Sequence, residues 1–150
     1  MTKKQELLLN LEVIKNEHLK WRNYAEAKFN GIDIKKELTP VKHTECACGK
    51  MILEFGQIIY HLTTASSVAR DHEEFHRIGE ELYKFMNNMP KGTLLTKNSV
   101  KRKNEETLKN YSEILKNLSN NLLSTFDSIR NEINCIDDKK IESMLSNPDK

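Results

Sequence analysis

Leu108-Lys-Asn-Tyr111-Ser-Glu-Ile-Leu115-Lys-Asn-Leu118-Ser-Asn-Asn-Leu122-Leu-Ser-Thr-Phe126-Asp-Ser-Ile129-Arg-Asn-Glu-Ile133 sets a large apolar residue at every third or fourth position over about seven turns. That spacing is one face of an α-helix, so it predicts a long helix from about Asn98 to Ile133. Upstream, His72, Phe75, His76, Gly79, Leu82, Tyr83 and Met86 trace a second such face to about Asn88, where Pro90 and Gly92 end it. Hydroxyls in Thr63-Thr64-Ala65-Ser66-Ser67 offer N-caps ahead of that face.

Two further helices complete the pattern. Leu7, Leu11, Ile14, His18, Trp21 and Ala25 share one face between Lys4 and Phe29, and Asn30-Gly31 supplies a stop. The stretch 32–44, with Pro40, reads as a connecting loop. From about Glu45 to Leu62 a helix is expected with Cys46, Gly49, Leu53, Gly56 and Tyr60 on its stripe and Met51, Ile52, Phe55 and Ile59 beside it. Its two glycines each cost about 1 kcal/mol relative to Ala, which implies close approach of a neighbouring helix. The expected fold class is therefore all-α: an antiparallel four-helix bundle over residues 1–133, followed by a polar C-terminal tail over 134–150.

Composition narrows the function classes. With 24 basic and 22 acidic side chains the net charge is +2, too balanced for a phosphate-seeking surface, and no nucleic-acid partner is expected. The most basic stretch, Lys97 to Lys103, runs directly into Glu105 and Glu106, as on a solvated helix start. No apolar run approaches the ~18 residues of a membrane span, and Met1-Thr-Lys-Lys-Gln-Glu lacks a signal-peptide core, so a cytoplasmic chain is expected. In a reducing compartment the odd set Cys46, Cys48 and Cys135 points to metal binding or redox chemistry rather than disulfides.

The chemistry concentrates on inward-facing polar residues. His72 and His76 lie at i and i+4 and present their imidazoles one turn apart, a geometry that lets both hold one ion. Such a pair is common by itself and equally fits two partly buried histidines. Adding His18 on the first helix and Cys46 at the start of the second gives three imidazoles and one thiolate from three helices, a donor set suited to tetrahedral Zn2+. Four protein ligands close the shell and leave no position for an activated water, which favours a structural or regulatory ion and a chain that is not an enzyme.

His18-Leu-Lys-Trp21, Cys46-Ala-Cys-Gly49-Lys-Met51 and His72-Glu-Glu-Phe-His76, in that order and at those intervals, resemble the chemoreceptor zinc-binding domain family. The resemblance covers roughly Leu7 to Met86, and the last helix is similar to the closing helix of family members that regulate diguanylate cyclases. It implies a homodimeric helical domain with zinc on His18, Cys46, His72 and His76. Zinc occupancy or Cys46 oxidation would control a chemoreceptor or diguanylate cyclase output protein, in cis or in trans. Two positions differ from the family pattern: Cys48 stands where a large apolar residue is usual, and Met51 where an aromatic is usual. Both keep a soft, adaptable side chain.

Other residues carry competing readings. Cys48, two residues from Cys46, points ~200° away on a helix, so it is a weak ligand candidate and a candidate resolving thiol for an oxidised Cys46. His43 is a substitute or outer ligand, or an ordinary loop residue; His61 lies outside the motif, and Cys135 is expected as an exposed tail thiol. Trp21 is expected to shield the site, and the last helix fills its own bundle with or without pairing in a dimer. His72-Glu73-Glu74-Phe75-His76 also satisfies the His-Glu-x-x-His pattern of zinc hydrolases, the alternative function, while a di-iron bundle needs more inward His and bridging carboxylates than are present.

Overall fold

A computed structural model describes residues 1–30, 32, 42–62 and 67–146. Among these there is no β-strand, and five helices follow in order: α1 Lys3–Phe29, α2 Ala47–His61, α3 Val68–Asn87, α4 Lys97–Asn134 and α5 Asp138–Ser146. The all-α class holds. Gly31, most of the expected 32–44 loop with Pro40, and the N-cap candidates Thr63 to Ser66 lie outside the described residues. Ser67 occupies the N-cap of α3 without a side-chain hydrogen bond to the helix.

The long helix forms where the apolar rhythm is strictest. Leu115, Leu122, Phe126, Ile129 and Ile133 are buried, with Leu108, Tyr111 and Leu118 packed against the same core. α4 lies against both α1 and α3, α1 also packs on α2, and α2 and α3 touch each other only sparingly. Leu7, Leu11 and Ile14 of α1 and Phe75, Ile78 and Leu82 of α3 close the core from either side of α4. Exposed pairs stitch α1 to α4 at the rim: Lys15 to Asp127 at 2.6 Å and Arg130 to Glu12 at 2.8 Å. Such pairs fix alignment more than they add stability. No helix among the described residues is long and apolar enough to cross a membrane.

α2 departs from its expected register. Leu53 and Tyr60 are 73% and 62% exposed, so the stripe through them faces solvent, and the buried side is Cys48, Met51, Phe55, Ile58 and Ile59. The helix also breaks its regular path at Phe55, where φ is −111° and ψ is 16°. Gly56 follows this kink, and a Cβ there would meet only the Tyr60 ring, at an ordinary 3.5 Å, so no neighbouring helix demands that glycine.

The second difference lies past Asn134, where a polar tail was expected. Residues 138–146 instead form α5, which rests on α1 and α2. Ile141 is fully buried, and Ile136, Met144 and Leu145 pack beside it. Nine residues are too few for a stable isolated helix, so this packing holds α5 in place. Lys4 strengthens the corner by donating from Nζ to the carbonyls of Asn134 and Ile136 at 3.1 and 2.7 Å, which caps the C-terminal end of α4. Ile141→Ala is expected to cost about 2 kcal/mol, the low end for deleting a buried aliphatic side chain because α5 can settle. Urea unfolding measures it, and a midpoint equal to wild type would mean that α5 does not dock.

Candidate metal centre

Cys46 is the N-cap of α2, with extended backbone (φ −74°, ψ 166°), and its Sγ accepts from the Gly49 amide at 3.3 Å. A thiol thus fills the role usually taken by Ser or Asp at this position. Its own proton has an acceptor in the His43 carbonyl, also at 3.3 Å. The Cys-x-x-Gly spacing has a steric cause: a Cβ on Gly49 would sit 1.9 Å from the His43 oxygen and 2.9 Å from Thr44 Cα. The close approach is therefore made by the segment entering α2 rather than by a neighbouring helix.

His72 and His76 come from the core-facing side of α3, one turn apart as the i, i+4 spacing requires. His72 Nε2 lies 3.1 Å from Cys46 Sγ and 3.1 Å from His76 Nε2, and the two rings cross at 76°. Donor atoms of Cys46, His72 and His76 all lie within 4.8 Å of one another and can hold a metal ion. A tetrahedral ion with bonds of about 2.0 and 2.3 Å separates two nitrogens by about 3.3 Å and a nitrogen from a sulfur by about 3.6 Å. The two spacings made by His72, 3.1 Å each, fall within half an ångström of that shell, and Cys46 and His76 lie within 4.8 Å of each other.

His18 reaches the same cavity from α1 but stands outside this three-donor group. The cavity, about 450 Å3, is lined by His18, Trp21, Cys46, His72, Phe75 and His76 among others. His18 stacks on Phe75 with ring centroids 4.3 Å apart, and its Nε2 shares a 3.0 Å hydrogen bond with Ser119 Oγ of α4. Trp21 lies edge-on to Phe75 and against Gly79, where a Cβ would come within 3.3 Å of the indole. It walls the cavity on that side, as a shielding residue would.

Electrostatics favour lone pairs over charge here. Burial first, then His76, His43 and His18, lowers the His72 pKa from 6.5 to about 3. Burial, Arg22 and His76 lower that of His18 to about 4. Both rings are therefore neutral near pH 7, the form that binds metals. Burial raises the Cys46 thiol above its ordinary value against the opposing pull of the Gly49 and Cys48 amides, so a cation must supply the drive to deprotonate it.

No protein-family model, curated protein or solved structure matches the chain.

Residues outside the cluster separate cleanly. Cys48 is buried in the core, and burial pushes its thiol far up, so it behaves as a packed apolar residue. His43 brings its ring centroid to 6.4 Å from that of His72 and contributes its carbonyl to Cys46, without joining the donor group. His61 is exposed at the far end of α2. Cys135 is exposed as expected, but at the C-cap of α4 rather than in a tail. Ser119 is the participant the sequence reading missed, although its place four residues after Leu115 and three before Leu122 sets it on the buried face of α4.

Gly49→Ala tests whether the segment entering α2 is part of the site. Its Cβ would meet backbone, which cannot rotate away, so residues 43–46 must shift and carry Cys46 with them. A stability loss of about 2 kcal/mol is expected together with weaker metal binding. Thermal unfolding and metal titration read the two effects, and wild-type values in both would refute the account.

Proposed function

We propose that this chain is a zinc-binding regulatory domain, a bundle of α1 to α4 organised around one ion on His18, Cys46, His72 and His76. One observation carries the reading: a thiol and two imidazoles from two helices converge at the edge of the core, with donor atoms within 4.8 Å of one another. A Zn2+ ion supplies Lewis acidity sufficient to keep Cys46 as thiolate at neutral pH. The chain's own residues do the rest. Gly49 N–H steadies the sulfur, the buried neutral rings present lone pairs, and Trp21 with Phe75 limits water.

This reading agrees with the resemblance to chemoreceptor zinc-binding domains, and we extend it to a cytoplasmic homodimer that reports zinc occupancy or Cys46 oxidation to a chemoreceptor or diguanylate cyclase. Because α2 and α3 share little direct packing among the described residues, losing the bonds at Cys46 would loosen the start of α2 from α3. The hydrolase alternative fares worse: Glu73 is exposed and does not line the cavity, whereas a general base must face the reacting water.

Metal content of the purified full chain, followed by Co2+ substitution, tests the proposal. The expected result is one zinc per chain and a cobalt spectrum with thiolate charge transfer that disappears in Cys46→Ser. A chain that retains no divalent metal, or keeps the thiolate band without Cys46, would defeat it. Casein cleavage by the zinc-loaded protein would instead favour the hydrolase.

A further inference from the structure

We propose that Ser119 of α4 sets the affinity of the metal site by competing with the ion for His18, so that binding is communicated to α4. This rests on the reading of His18 as fourth ligand.

Among the described residues only two polar side chains are fully buried, His72 and Ser119. The first is in the donor cluster. The second lies in the core beside Leu118, with 0% exposure, and its Oγ is 3.0 Å from His18 Nε2. A ring nitrogen has one bonding position in the plane of the ring, so the same nitrogen cannot serve both a hydroxyl and a metal ion. His18 lines the cavity of the other three donors yet does not join their 4.8 Å group, and its Nε2 is engaged by Ser119, so an ion taking that nitrogen must displace the hydroxyl.

The exchange need not strand a buried hydroxyl. Thr125 and Ser128 of the same helix donate to the carbonyls of Asn121 and Ser124, one turn back, at 3.0 Å each. By the same rotation Ser119 can donate to Leu115 once His18 leaves, and such back-bonding slightly bends a helix. α4 is the helix that packs on both α1 and α3, so a change at its middle is felt by the elements that carry three of the four ligands. His18 is thus contested between a hydroxyl on α4 and the ion.

The three roles open to Ser119 differ in sign. As a passive core hydrogen bond, its loss would lower stability and leave zinc affinity unchanged; as a residue orienting His18 for the metal, its loss would weaken binding. As a competitor, its loss tightens binding. Zinc affinity of the full chain, measured by competition with a chromophoric chelator, is expected to rise about fivefold to tenfold in Ser119→Ala, the equivalent of one ordinary hydrogen bond. Ser119→Thr, which keeps the hydroxyl, should stay near wild type. In a His18→Ala background Ser119→Ala should change nothing.

Unchanged or weaker binding in Ser119→Ala, with wild type still binding zinc, overturns the competition and leaves the metal reading standing. If His18→Ala binds as tightly as wild type, the proposal falls and a three-ligand site remains. Absence of zinc binding in wild type would overturn the metal reading and this inference together.

Discussion

His72→Ala is expected to lower zinc affinity about a hundredfold or more while leaving the helical content intact. Its Nε2 is the middle of the donor cluster, 3.1 Å from both Cys46 Sγ and His76 Nε2, so it joins the α2 thiol to the second imidazole of α3. A structural zinc site is worth on the order of 10–16 kcal/mol, and an even share among four ligands is about 2.5–4 kcal/mol. At 1.4 kcal/mol per tenfold, that share is roughly sixtyfold to seven hundredfold in dissociation constant. Removing the ring also opens space in the core, so the metal-stripped variant should unfold slightly earlier than stripped wild type. His43→Ala is the matched control: its ring approaches His72 but stands outside the donor group, and its carbonyl, which meets Cys46, survives the substitution. Equal affinities in the two variants would remove the ligand role of His72.

Acid should destabilise the chelator-treated protein strongly and over a defined window. In the unfolded chain both His18 and His72 titrate near 6.5, whereas in the fold they resist protonation down to about 4 and about 3. Above pH 6.5 both states hold neutral rings and the histidines make no pH-dependent contribution. As pH falls through 6.5 the unfolded chain takes up protons that the folded chain refuses, so stability drops, and it levels off below about 3 once both states are protonated. At pH 5 the loss is about 2 kcal/mol per histidine, about 4 kcal/mol for the two. That is a large share of a small domain's stability. Melting temperatures measured from pH 7.5 to 4.5 in chelator, with the double variant His18→Leu and His72→Leu as reference, check this. A wild-type slope no steeper than that of the double variant would contradict it. Zinc-loaded protein should hold its melting temperature to a lower pH and then lose it abruptly, because protons and metal compete for the same lone pairs.

Helical content and the four long elements were legible in the sequence because each carries an apolar face of many turns. α4 is the clearest: every residue of its stripe from Leu108 to Ile133 is buried or packed on the core. The register of α2 differs from the expected one because the stripe counted from Cys46 starts outside the helix. Cys46 is the N-cap, where the backbone is still extended, so its side chain says nothing about which way the following turns face. α5 was missed because only Ile141, Met144 and Leu145 mark its apolar side, and a pattern that short becomes a helix only through contact with α1 and α2. At the site, the i, i+4 histidines were readable from residue chemistry; the Cys-x-x-Gly step came only with the family resemblance, and its cause, the backbone of His43 and Thr44, is visible only in the fold. The engagement of His18 with Ser119 was not readable, since it joins residues 101 positions apart through a single hydroxyl.

The break at Phe55 divides α2 into two short rods. The first begins at the sulfur, includes the pinched glycine and seats Cys48 and Met51 in the core; the second seats Ile58 and Ile59 there. A regular helix would turn as one body, and any twist at its first residue would be transmitted to its last. With the joint in the middle, a displacement at Cys46 would reach the core through Cys48 and Met51 first, and the break would relieve Ile58 and Ile59 of following it.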